Sequence, residues 1–180
     1  MAKPFFPEPV KLFVGLIIFE PEKNLSSVLS RLSSEFGEVE KLSSVIPFDF
    51  TDYYEHEMGN PLWRLWVSFK ELFDYGKLAT AKLFTNSIEK DLSIGENRIV
   101  NIDPGVLTVL NVILASAKFA PQRIYLGKGI YAELELIYHH SGFEPLLWTY
   151  PDYRCDVALG FFNELRAMYI SRLKETRDRG

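Results

Sequence analysis

The stretch KLFVGLIIFE, residues 11–20, constrains the fold more than any other segment. It is rich in Val, Ile and Phe and nearly free of charge, so it reads as a strand buried on both faces of a sheet. Around it the chain alternates helical and extended patterns. Residues 1–10 carry Pro4, Pro7 and Pro9 and form an extended arm. After the strand, Leu25, Val28, Leu29, Leu32 and Phe36 recur at helical spacing, with Gly37 at the C-terminal cap position. EVEKLSSVIPFDF reads as a second strand of unclear register. LWRLWVSFKEL reads as a third, with Trp63, Leu65, Val67 and Phe69 alternating against Arg64, Ser68 and Lys70, and Trp66 breaking the pattern. Residues 74–93 read as a second helix and NRIVNID as a short strand. Strand, helix, strand, strand, helix, strand is the ferredoxin-like order, which we assign to residues 11–103.

The next segment, DPGVLTVLNVILASAKF, admits two readings. Asp103 suits a helix N-cap and Pro104 the first helical position, which favours a helix over 104–117. Its β-branched content favours a hairpin turning at Asp-Pro-Gly. We adopt the helix. RIYL and IYAELELIY then flank the three-residue loop Gly-Lys-Gly as a hairpin that pairs Leu126 with Ile130, Tyr125 with Tyr131 and Arg123 with Glu133. FEPLLW supplies a third strand, and DVALGFFNELRAMYISRLKETRDR a C-terminal helix. The expected class is α+β: a ferredoxin-like βαββαβ half, then a helix, a three-stranded antiparallel meander and a C-terminal helix, as one domain over residues 1–180.

Composition excludes several function classes. The chain of 180 residues is 47% hydrophobic, enough for a core without staples, and its net charge is −4 without a basic run. That balance argues against duplex nucleic acid as a partner. A single cysteine, Cys155, rules out an internal disulfide framework. No apolar stretch approaches the ~18 residues needed to span a bilayer, and the N-terminus lacks a secretory pattern. A cytoplasmic protein without a membrane partner is expected. Gly127-Lys128-Gly129 fails as a phosphate loop: Gln122 stands where the first glycine belongs, no hydroxyl residue follows Lys128, and a strand follows instead of a helix.

Candidate chemistry gathers on polar groups among aromatics. Asp103 is either a helix cap or a carboxylate for metal or substrate. Arg123 and Glu133 are either a cross-strand ion pair or, with Tyr125 and Tyr131, a platform for a flat anionic ligand. Lys82, Thr85, Asn86 and Glu89 sit at helical spacing and read as a solvated face. WTYPDYR offers Trp148, Tyr150 and Asp152, as a rigid lid or as a binding edge. His56 between Glu55 and Glu57 is a weak metal pattern. No serine–histidine or cysteine–histidine pairing is indicated.

The phrases FDFTDYYEHEMG, KLFTNSIE, RIVNIDPG, LASAKFAPQRIYLGKGIYAE and WTYPDYR together resemble a family of small prokaryotic proteins known as a domain of unknown function, whose members often carry the label "GTP-binding protein". The resemblance runs across nearly the whole chain and in the family's order, and it implies no catalytic residues. The family commonly has His before RIYL, where this chain has Gln122. The function expected from the residues is binding of, or action on, a phosphorylated small molecule or nucleotide through a polar-aromatic sheet face. Lys118, Arg123, Tyr125, Lys128, Tyr131, Trp148 and Tyr150 would bind the ligand. Asp103, Glu133 and Asp152 are the catalytic candidates, with Asp103 and Glu133 able to hold magnesium. The alternative is a non-catalytic interaction or assembly protein, such as a homo-oligomer, that uses the aromatic surface.

Overall fold

The computed structural model describes residues 1–178. The chain folds as α+β around one antiparallel sheet. Its strands are β1 (Val10–Phe19), β2 (Val39–Leu42), β3 (Ile46–Pro47), β4 (Leu62–Phe73), β5 (Val100–Leu107), β6 (Asn111–Ser116), β7 (Ile124–Gly127), β8 (Ile130–His139) and β9 (Gly142–Pro145). The helices are α1 (Pro21–Phe36), α2 (Glu55–Met58), α3 (Leu78–Asp91) and α4 (Asp156–Asp178). Strand order is β2-β4-β1-β5-β6-β8-β7, with β3 added to β4 and β9 to β8. The apolar strand β1 lies between β4 and β5, as a strand buried on both faces must.

Pleating sends successive side chains to opposite faces. Leu12, Val14, Leu16 and Ile18 of β1, with Leu65, Val67 and Phe69 of β4, pack under α1 and α3 in one core cluster. Phe13 and Trp66 face the other way and join Phe161, Phe162, Leu165 and Tyr169 of α4 in a second. Trp66, which breaks the strand's alternation, marks this second buried face. A third cluster, Ile17, Phe48, Met58 and Leu62, lies beneath the segment between β3 and β4.

The helix expected over 104–117 does not form. Asp103 and Pro104 lie inside β5, which runs antiparallel to β1 from Val100 to Leu107, and the turn falls at Thr108–Leu110 instead of at Asp-Pro-Gly. Eight paired positions against the central strand outweigh the local cap signal, and the Val/Ile-rich run that follows satisfies strand propensity. The stretch read as one second strand is two short ones. β2 and β3 both pair with β4 and are interrupted at Ser43, whose Oγ accepts from the Trp66 N–H.

The hairpin forms with Tyr125 opposite Tyr131, as its pattern predicts. Its loop has two residues, Lys128 and Gly129, with φ of 55° and 76°, the positive values a tight hairpin turn requires. Leu126 is bulged out, so Gly127 and not Leu126 faces Ile130.

Candidate functional site

Pairing between β5 and β6 stops at Gly105↔Leu114. Pro104 has no N–H to offer a neighbour, so the two strands part beyond it. A cavity of about 510 Å³ occupies the fork. Asn101 and Asp103 form one wall, and Ser116, Ala117 and Lys118 the other. Lys82, Asn86 and Glu89 reach it from α3, while Phe48, Phe50, Tyr53 and Tyr54 cover it from the segment after β3. Tyr150, Asp152 and Tyr153, on the 3-10 turn that enters α4, close the far end.

The floor is Arg64 of β4. Its side chain is 2% exposed and its Nη2 lies 2.9 Å from Asp152 Oδ2. The guanidinium sits 4.5 Å from the Trp66 ring centroid and 5.2 Å from that of Tyr153. It has this room because residue 15 is glycine: a Cβ there would lie 2.8 Å from Nη2. Arg64 Nε and Nη1 have no partner within the protein, nor has the Tyr153 hydroxyl. A buried donor left without an acceptor costs about 1–3 kcal/mol, more for a charged group.

The charges that α3 and β5 bring to the wall are mutually satisfied. Lys82 Nζ donates to Asp103 Oδ1 at 2.8 Å and to the Ile102 carbonyl at 2.9 Å. Glu89 accepts from the Ile102 N–H at 2.7 Å and from Arg98 Nη1 at 3.0 Å. Arg98 grips Glu57 through Nε and Nη2 and also donates to Asn101 Oδ1. Burial opposes ionisation of Asp103, but Lys82, Arg64 and Asn101 outweigh it and hold the carboxyl below its ordinary range. Lys82, Thr85 and Glu89 are therefore buried, which corrects the solvated-face reading. Their spacing matches a solvated stripe; only the position of β5 beneath the helix reveals otherwise.

Behind the cavity lies a second polar layer. Arg123 Nε donates to Glu133 Oε2 at 2.8 Å, so the pair expected across the hairpin forms, but Glu133 is 1% exposed. Arg123 also donates to Ser116 Oγ, the Lys118 carbonyl and the Tyr150 hydroxyl, which braces the cavity wall from outside. Glu135 is fully buried; its Oε2 accepts from the Tyr150 N–H at 3.1 Å and its Oε1 has no partner. Burial first, then the nearby Glu133 charge, push its carboxyl up to about 8.

Of the residues singled out from sequence, Asp103, Lys118, Tyr150 and Asp152 line the cavity. Tyr125, Lys128, Tyr131 and Trp148 do not. Lys128 Nζ reaches Thr80 Oγ1 on α3, Trp148 Nε1 donates to the Leu134 carbonyl, and Tyr125 packs on Tyr131 with ring centroids 5.3 Å apart. A platform on the outer hairpin face is thus replaced by a cleft beside it. Asp103 and Glu133 are not arranged for magnesium: the oxygens of Asp103 are taken by Lys82 and Asn101, and those of Glu133 by Gln122 and Arg123. Among the described residues no group of three or more His, Cys, Asp or Glu could hold a metal ion. His56 is exposed, and its neighbour Glu57 is committed to Arg98. The residues missed from sequence are Arg64, Arg98, Phe48 and Phe50. Arg64 alternates with apolar neighbours as a surface residue would, and Trp66 two positions on is the signal that its face is covered.

The architecture is that of an α+β protein whose antiparallel sheet forks around a charged, aromatic-roofed cleft. The chain belongs to a family described as a domain of unknown function, DUF4416, whose model matches residues 8–169. No curated protein and no solved structure matches it. Among the described residues no helix is long and apolar enough to cross a membrane.

Proposed function

We propose that the cleft binds a small anionic molecule, of the phosphorylated or nucleotide class, with Arg64 as its anchor. The supporting observation is the Arg64 guanidinium: it is buried on the cavity wall and Nε and Nη1 lack acceptors. A ligand oxyanion would supply an acceptor to a free guanidinium donor and add counter-charge at the buried cation. Arg123, Glu133 and Glu135 then support the wall without touching ligand, and Tyr53 and Lys118 stand at the rim. A thermal-shift screen of phosphate esters tests this. A compound at ~100 times its Kd adds about 2.7 kcal/mol, several degrees in a chain of this size. Arg64→Lys should lose the shift, since a compact ammonium that pairs with Asp152 cannot also present the guanidinium's other donor directions. Tyr125→Ala, on the outer hairpin face, should keep it. A screen without a single shift would end the reading.

A second reading has its own observation. The edge strand β7 exposes Ile124 and Tyr125, at 72% and 60%, beside Phe119 at 75%. An unpaired apolar edge is a template for another strand, which favours self-association of this edge with its copy. Light scattering should then report a dimer that Ile124→Lys converts to monomer; a monomeric parent protein would rule it out.

A further inference from the structure

We infer that the cleft takes a ligand with one compact oxyanion and one flat apolar end, and rejects polyphosphates. This rests on the ligand-binding reading above and narrows it. The cavity wall carries four cations, Arg64, Lys82, Arg98 and Lys118, against three carboxylates, Glu89, Asp103 and Asp152. The excess is one positive charge, and Glu57 on Arg98 cancels it. Lys82 and Arg98 spend their donors on Asp103, Glu89, Glu57 and Asn101. Unfilled donor capacity is left at two places. One is the Arg64 floor, with the partnerless Tyr153 hydroxyl beside it. The other is Lys118 at the rim, which donates to the Tyr53 hydroxyl at 2.7 Å and lies 4.2 Å from that ring's centroid.

One carboxylate or phosphate monoester matches that capacity. A triphosphate, with about four negative charges, does not. It would face Asp103, Asp152 and Glu89 with no spare counter-charge, and among the described residues no glycine lines the cavity to form a backbone cradle. The flat end is assigned by the roof. Phe48, Phe50, Tyr53 and Tyr54 form a contiguous set of edge-on and tilted ring contacts, with centroids 4.9–5.9 Å apart. Such a wall offers both ring faces and ring edges to a planar group. The volume, about 510 Å³, lies within the range of small-molecule sites.

The test is calorimetric titration of the full chain with a charge series. The probes are guanosine and adenosine, their monophosphates and triphosphates, ribose 5-phosphate, inorganic phosphate and benzoate, each with and without magnesium chloride. At least one monophosphate, or benzoate, should bind at least about tenfold tighter than inorganic phosphate. A monophosphate should also exceed its own nucleoside and its own triphosphate by that factor. Monophosphate binding assigns the oxyanion as phosphate, and benzoate alone assigns it as carboxylate. Arg64→Lys should bring the monophosphate down to its nucleoside. Should that variant not fold, Tyr53→Ala at the exposed rim should weaken nucleoside and monophosphate by the same factor. A triphosphate that binds as tightly as its monophosphate, with or without magnesium, overturns this inference and leaves the cleft as a binding site. So does a sugar phosphate that binds where no planar probe does. No heat from any probe, together with no thermal shift from any phosphate ester, overturns both.

Discussion

Gly105→Ala should unfold the protein about 10 °C lower than its parent. Gly105 sits in β5 opposite Phe13 of β1 and Leu114 of β6. A Cβ built there would lie 2.2 Å from Phe13 Cζ and 2.6 Å from the Ile113 carbonyl oxygen. The first contact is with a fully buried ring packed edge-on to Phe162 at 4.8 Å, and the second is with backbone. Neither can retreat without moving a strand or α4. Overpacking of a tight core costs about 1–3 kcal/mol and occasionally more; two such contacts at one atom put this substitution at the upper end. At roughly 2–4 °C per kcal/mol for a chain of this size, the loss is large. Phe13→Leu in the same chain should recover part of it, because it removes the 2.2 Å contact and leaves the carbonyl. The double variant would then be more stable than the sum of the single changes, the signature of a shared contact. A Gly105→Ala protein that melts with its parent would mean that β5 and β6 are not in this register.

The same short segment shows what could be read from the sequence. Periodicity located α1, α3, α4, the central strand and the hairpin, because each pattern is long and its burial one-sided or complete. Local chemistry misled at Asp103-Pro104-Gly105. There a cap residue and an N1 proline imitate a helix start, whereas in the sheet the proline ends a pairing and the glycine admits Phe13. What those residues do depends on β1, some ninety positions earlier in the chain, and no local window contains it. Four of the candidate site residues, Asp103, Lys118, Tyr150 and Asp152, do meet at one cleft. They were legible because each is polar within an otherwise aromatic or apolar phrase. Arg64 was not, since an arginine in an alternating strand has the pattern of an outward-facing residue. Its burial follows from α4 and the turn before it covering that face through Phe162 and Tyr153, a contact made across about ninety residues of chain. Glu135 likewise looks like one of the polar positions of an amphipathic strand. It is the residue inserted between Leu134 and Leu136 where β8 slips against β6, so it faces inward.

That insertion carries the second large effect. Glu135→Gln should stabilise the protein at pH 8 by on the order of 3 kcal/mol and remove most of the pH dependence expected of its parent. In the folded chain the Glu135 carboxyl is raised from 4.5 to about 8, by burial and then by the Glu133 charge. In the unfolded chain it titrates near its ordinary value. Between those two limits the native state holds a proton that the unfolded state has released, so stability falls as pH rises from about 4.5 to about 8 and levels off above. Each unit of separation is worth about 1.4 kcal/mol. Glutamine keeps the shape, is neutral at every pH and can still accept from the Tyr150 N–H, so this share of the slope vanishes, while Glu89, whose carboxyl burial also raises, keeps its own. It leaves part of its amide unpaired, which holds the gain below the full linkage value. Urea unfolding at pH 5, 6, 7 and 8 should give midpoints that decline more steeply for the parent than for Glu135→Gln; parallel declines would place the proton elsewhere. The site feels the same titration, because the N–H that Glu135 receives belongs to Tyr150, and Asp152, the partner of Arg64, follows two residues later. An ionised Glu135 sets a second buried negative charge beside Glu133 and behind that turn. Any anion held at Arg64 should therefore bind more weakly above pH 8 in the parent, and Glu135→Gln should keep its affinity there.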